Sequence, residues 1–314
     1  MYAPDMDPID RYTFRAPTEE DFDAVVALLI ADQRADEVEP TIDAHFLRQV
    51  WSRSTFDLAA DGWVGVDASG SIVAYGQIGR GDGDGVGSWG VVHPAHRGCG
   101  IGSALLDRIE ARASTLLTGV PSPRFRHSIN AGDDAAAAML TDRGLRPIRH
   151  FWHMQIDLDG PIEPGPAPDG IEIAGIEPGD DVRAIHAIIE SAFADDPGEN
   201  TAPFDPWHEE HATGPGYDPT LWLLARDRGA SVGALTASAG DDVGWVDYLA
   251  VLGSHRGRGI GSALLRRAFA TFAARGLGRV RLNVDAENVT GATAVYERVG
   301  MRVVNRWDLW ERQA

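Results

Sequence analysis

The 314-residue sequence has no lysine, a single cysteine and no apolar run near the roughly 20 residues that a bilayer span requires. With Cys99 alone, an intramolecular disulfide and a cysteine-rich metal site are both excluded. Ten histidines are present, but none forms an HxxxH or HExxH pair, so a zinc enzyme is not expected and no metal ligands are assigned. The opening MYAPDMDPID is acidic and lacks the basic-then-apolar order of a secretory signal, which predicts a cytoplasmic protein with no membrane partner. All 28 basic residues are arginine, and 47 acidic residues leave a net charge of −19. Such a surface repels phosphate backbones, so no nucleic-acid partner is expected, and it favours cationic small molecules at its clefts. The same charge also serves solubility.

What the chain does have is an internal repeat. The run HRGCGIGSALL from His96 to Leu106 returns as HRGRGIGSALL from His255 to Leu265, identical at ten of eleven positions and offset by 159 residues. A duplicated domain accounts for both the identity and the offset, and the length allows two domains. Residues 158–170 carry four prolines and three glycines, too many for a helix or a central strand. The expected organisation is an N-terminal domain over 1–157, a linker over 158–170 and a C-terminal domain over 171–314.

Both halves have the same order of elements. In the second, strands are predicted at 171–173, 221–225, 232–237, 245–251, 280–284 and 302–310, with helices at 182–193, from 260, and at 290–299. Ile260, Leu264, Leu265, Ala268, Phe269 and Phe272 mark one face of the middle helix. The first half places strands at 12–15, 63–67, 72–78, 88–92, 124–129 and 146–156, and helices at 19–31, 42–51, 101–113 and 133–143. Paired strands followed by strand–helix alternation predict an α/β fold with a mixed sheet.

Between the strand 245–251 and the helix from 260 lies Arg256-Gly257-Arg258-Gly259-Ile260-Gly261-Ser262. Glycines let the backbone bend and approach a ligand closely, so successive N–H groups can converge on one anion. The helix start adds unsatisfied donors and partial positive charge. This reads as a pyrophosphate cradle, and it lacks the GK[ST] ending of a Walker loop.

Arg256, Gly259 and Gly261 before a helix resemble the acetyl-CoA signature of the GCN5-related N-acetyltransferases. Asp247-Tyr248-Leu249-Ala250-Val251 precedes it, and Asn288, Ala292 and Tyr296-Glu297-Arg298-Val299-Gly300-Met301 follow like the family's second signature. The resemblance covers nearly all of 171–310. It implies two tandem domains of that fold, each a mixed, centrally splayed β-sheet flanked by helices, and acetyl-CoA as cosubstrate with no metal. It implies that Leu249, Ala250 and Val251 give the cofactor arm backbone contacts, and that one strand N–H polarises the thioester carbonyl. Gly257, Arg258 and Ser262 join Arg256, Gly259 and Gly261 in the cradle. Asn288 matches the residue whose amide binds the arm, and Tyr296 the tyrosine that protonates the departing thiolate. Tyr296 also lies among Val289, Ala292, Val295 and Val299 at helical spacing, so a core aromatic is its competing role. The amine must lose a proton; Asp247 either takes it or is a solvated edge residue. Glu199, Glu209, Glu210 and His211 fall in the segment that lines the acceptor site in relatives, as rival bases or ammonium anchors.

The N-terminal half keeps Val92, Arg97, Gly98, Gly100, Gly102 and Ser103, a set able to bind CoA. Its second signature has decayed: Leu140 falls opposite Tyr296 and Gly132 opposite Asn288, so no turnover is expected there. The expected activity is acetyl transfer from acetyl-CoA to a primary amine of a small, cationic molecule, by direct attack in a ternary complex. The competing readings are a CoA-binding regulatory or scaffold protein and a protein or peptide acetyltransferase.

Overall fold

The computed structural model describes residues 8–35, 44–53, 55–81, 85–194, 202–213, 216–240, 242–287 and 291–314. It divides into two compact units, Met1–Phe151 with Asn305–Ala314, and Trp152–Val304. The first repeat runs β1 (Thr13–Arg15), α1 (Phe22–Ala35), α2 (Ala44–Trp51), α3 (Leu58–Asp61), β2 (Gly62–Val66), β3 (Ile72–Arg80), β4 (Gly85–Val92), α4 (Ile101–Leu116), β5 (Arg124–Asn130), α5 (Asp134–Asp142) and β6 (Arg146–Asp157). The second runs β7 (Ile171–Gly175), α6 (Asp180–Phe193), α7 (Phe204–Ala212), β8 (Leu223–Asp227), β9 (Ala230–Ala239), β10 (Val243–Val251), α8 (Ile260–Ala274), β11 (Arg279–Asp285), α9 (Ala292–Arg298) and β12 (Arg302–Gln313). Among the described residues no helix is long and apolar enough to cross a membrane.

Each unit is an α/β layer structure with a mixed sheet, as the alternation of elements predicts. In the N-terminal unit β1 to β4 pair antiparallel in sequence order, and β4 then pairs parallel with β5. In the C-terminal unit β7 to β10 do the same before the parallel pair β10–β11.

The last strands are exchanged. Residues 307–313 of β12 pair antiparallel with β5, from Trp307 opposite Asn130 to Gln313 opposite Arg124. Glu311 fixes this register by binding Arg124 at 2.7 Å and Arg126 at 2.9 Å. In the C-terminal unit β6 lies beside β11, where Arg281 Nε donates to Gln155 Oε1 at 2.7 Å and Leu158 N–H to the Gly278 carbonyl at 2.8 Å. Residues 305–314, which the sequence groups with the C-terminal domain, thus complete the N-terminal unit.

The C-terminal core joins two helix faces to the sheet. Ile260, Leu264, Leu265, Ala268, Phe269 and Phe272 of α8 are all buried, the face that the sequence predicts. On α6, Val182, Ile185, Ile188 and Ile189 are buried in the same cluster as Leu224 and Leu235 of the sheet. Each such side chain removed from water contributes about 1.5–3 kcal/mol. At Gly244 of β10 a Cβ would stand 2.7 Å from the Phe272 ring, so glycine there lets α8 lie close on the sheet. Helix α7 forms in a segment where no element is predicted from the sequence. Pro206 sits in its first turn, where no N–H is needed, and Trp207, 2% exposed, anchors it.

Candidate active site

The site begins where the two parallel strands part. β10 pairs with β11 only from Val243–Arg279 to Trp245–Arg281. Its other edge stays paired with β9 as far as Val251–Gly233, with one irregularity: the register shifts between Val246 and Tyr248, leaving Asp247 as an extra residue. A bulge of this kind bends the strand and increases its twist. Beyond it, 246–251 and 282–285 line the walls of a cleft of about 260 Å³.

The cradle closes one end of the cleft. Gly257 and Gly259 have φ of +76° and +82°, a left-handed backbone that a side chain would strain. Gly259 caps α8 and carries no side chain over its first turn, whose N–H groups have no partner within the helix. Arg256 donates from Nε to the Val251 carbonyl at 3.2 Å and from Nη2 to that of Ala192 at 2.9 Å, tying the end of β10 to α6. Arg258 turns away to Asp227 at 2.7 Å and holds that carboxyl below its usual range. Ser262 is 5% exposed and lines the cleft with Gly259 and Gly261. Helix-start donors, close-approach glycines and a β10 edge that leaves β11 after Trp245 all fit a pyrophosphate followed by an extended arm.

Two proton-bearing groups face the same space. Tyr296 of α9 is 7% exposed and lines the cleft, so it is both core aromatic and cleft residue. Burial pushes its phenol up to about 12. Asp247 also lines the cleft. Solvent reaches it through the cleft, yet protein atoms crowd it closely enough to push the carboxyl up to about 7, against the 3.2 Å hydrogen bond from Ser238 Oγ. The crowding sets the direction, and the open mouth limits its size.

Of the expected acceptor residues, His211 on α7 meets Tyr248 edge-on at 5.6 Å and Glu209 and Glu210 are exposed on that helix; none of the three lines the cleft. Asn288 and Glu199 lie outside the described residues. Sequence reasoning missed Ser238 and Thr236. The available signal was a pair of hydroxyls two apart in the otherwise apolar run 232–239 of β9.

The N-terminal unit repeats the cradle, but its parallel strands stay paired three residues further before they part. Gly98 and Gly100 have φ of +77° and +80°, and Arg97 likewise reaches the Val92 carbonyl and, at 2.9 Å, Asp32. Val92 and Gly102 adjoin it, and Ser103 Oγ meets Met139 Sδ at 3.6 Å. However, β3–β4 runs from Ala74–Val92 to Arg80–Val86 with no register shift, and β4–β5 stays paired from Gly85–Arg124 to Trp89–Ser128. Ser88 clamps this pair through hydrogen bonds of 2.8 Å to His127 Nδ1 and to the Arg126 carbonyl. Burial pushes His127 down to about 4, so it is neutral at pH 7. Leu140 is fully buried in the core.

Parallel strands that part over a glycine-turned helix start define an acyltransferase fold of the GCN5-related type, present here twice. The model of the Acetyltransferase (GNAT) family matches residues 183–301, and that of the Acetyltransferase (GNAT) domain matches 59–138. The chain belongs to the GNAT superfamily as a tandem N-acetyltransferase. It is 32% identical over 302 residues to a mycothiol acetyltransferase of Catenulispora acidiphila, covering 91% of this chain and 93% of that one. A mycothiol acetyltransferase of Thermobispora bispora is 33% identical over 226 residues, covering 69% and 72%. Among solved structures, a GCN5-related N-acetyltransferase from Sphaerobacter thermophilus superposes with a TM-score of 0.84 at 32% identity, covering 97% of this chain and 96% of that one.

Proposed function

We propose that the C-terminal unit acetylates a primary amine of a small, cationic molecule, by direct attack in a ternary complex with acetyl-CoA. The observation that carries this reading is the parted β10–β11 pair with Asp247 and Tyr296 both facing the gap. Acetyl-CoA, when bound, supplies the acetyl group as a thioester. The 256–262 cradle holds its pyrophosphate, and Leu249, Ala250 and Val251 offer the arm backbone groups, one N–H polarising the acyl carbonyl. Asp247 takes the proton that an ammonium group near pKa 10 must lose before it can attack. Tyr296 donates a hydrogen bond to the departing sulfur. The N-terminal unit is non-catalytic. The named relatives put a mycothiol-type acceptor first in a screen, beside aminoglycosides, amino acids, polyamines and cysteinyl glycosides. Release of free thiol from acetyl-CoA with one of these amines supports the reading; no release with any amine class defeats it.

Asp247→Asn separates base from bystander. A carboxyl pushed above its usual range makes kcat/KM rise from acid toward neutral pH, and the variant is expected to lose that limb. The rate should fall about 10- to 100-fold, at the low end for a lost base because solvent in the cleft can still take the proton. Stability should move the other way. The carboxyl binds its proton more tightly folded, at about 7, than unfolded, near the usual 3.9. Folding stability therefore falls as pH rises between those values. The variant should melt higher than the parent at pH 8, with the gain gone at pH 4. An unchanged pH–rate profile would remove Asp247 from the mechanism.

A further inference from the structure

We propose that Thr236 and Ser238, two hydroxyls on β9, are positioning residues of the acetyl transfer: Thr236 holds the bulge that parts β10 from β11, and Ser238 aims the Asp247 carboxyl into the cleft. This rests on the reading of the C-terminal unit as the working site.

Both hydroxyls are buried, Thr236 at 1% and Ser238 at 6% exposure. A buried hydroxyl is costly unless it is hydrogen-bonded, so its partner shows what it does. Thr236 Oγ1 accepts the Tyr248 N–H at 3.1 Å, and Ser238 Oγ donates to Asp247 Oδ1 at 3.2 Å. The two bonds straddle the register shift. Tyr248 stands opposite Thr236, Val246 opposite Ala237, and Asp247 has no ladder partner between them. The side chains of β9 thus supply the contacts that the interrupted ladder gives up, and β10 leaves β11 immediately before this point, after Trp245.

The first repeat provides an internal control. At the 159-residue offset, Gln77 stands for Thr236, Gly79 for Ser238 and Ser88 for Asp247. The strand order and the glycine cradle are the same. Without the two hydroxyls, Gln77 pairs with Trp89 and Ile78 with Ser88 in an unbroken ladder. There β4 stays on β5 as far as Trp89, the counterpart of Tyr248. The bulge and the hydroxyl pair are present together in one repeat and missing together from the other, where the strands part three residues later.

Four variants of the full chain test this, each with acetyl-CoA titrated by calorimetry and turnover measured with the amine found in the screen above. Thr236→Val should weaken acetyl-CoA binding about 10-fold, and Thr236→Ser, which keeps the oxygen, should bind like the parent. Ser238→Ala should leave that affinity within about 2-fold while kcat falls about 10-fold, and Ser238→Thr should restore kcat. Melting curves accompany each variant. A Thr236→Val protein that binds acetyl-CoA as the parent does, or a Thr236→Ser protein as weak as valine, overturns the assignment. So does a loss that tracks melting temperature across all four, which would make both residues plain core. A parent chain that does not bind acetyl-CoA brings down the site reading itself, whereas equal binding by parent and variants brings down only this inference.

Discussion

Tyr296→Phe is expected to leave acetyl-CoA affinity unchanged and to lower the chemical rate by about 10²- to 10³-fold. The ring stays, so the apolar packing of α9 stays, and only the hydroxyl facing the cleft is lost. With its phenol pushed up to about 12, Tyr296 holds its proton throughout the working pH range. A thiol ionises near 8.5, so a departing thiolate is a weaker base than this phenolate. Full proton transfer from Tyr296 to sulfur is therefore uphill, and the side chain acts chiefly as a hydrogen-bond donor to the growing negative charge. This keeps the expected loss below the upper end for general acids, about 10⁴-fold. It also predicts no new alkaline limb in the pH profile, because Tyr296 does not ionise there. A single-turnover rate equal to that of the parent would leave Tyr296 as packing alone.

Replacing Gly259 with valine is expected to abolish turnover, and replacing Gly100 with valine to leave turnover per folded molecule nearly intact. The two glycines occupy matching turns, with φ of +82° and +80°, and valine at either pays about 1–3 kcal/mol of backbone strain. That shared cost makes the pair a fair comparison, since both variants lose stability alike. The difference lies above the turn. Over Gly259 the strands have parted and the cradle opens into the cleft, so a branched side chain takes space needed by a phosphate. Before Gly100 the β4–β5 ladder runs three residues further, to Trp89–Ser128, clamped by Ser88 and His127, and Leu140 fills the core at the position of Tyr296. Circular dichroism establishes folding, and the same amine serves both assays. Should Gly100→Val lose activity and Gly259→Val keep it, the working site belongs to the other unit.

How much of this was legible in the sequence depends on how local each signal is. The α8 face was readable because six apolar residues at helical spacing need no knowledge of their partners. The cradle was readable because the repeat wrote it twice. The bulge at Asp247 was not, since it exists only relative to the register of β9, and no window along β10 contains Thr236. The exchange of β6 and β12 was hidden for a similar reason. Both are twelve-residue strands rich in aromatic and polar residues, and nothing in either says which neighbour it will join. Asp247 could be named but not assigned, because its unusual acidity comes from crowding that only the folded chain creates.

The exchanged strands also tie the two repeats to each other. Residues 152–157, encoded in the first half, form part of the unit that carries the cleft, and 305–314, encoded in the second, form part of the other. Neither copy can be lost by itself, because each unit draws a strand from the other half of the chain. Inheritance is therefore coupled at a level that the catalytic residues do not show. A cut through the proline-rich stretch at 158–170 would separate the two halves of the gene without yielding either folded unit whole.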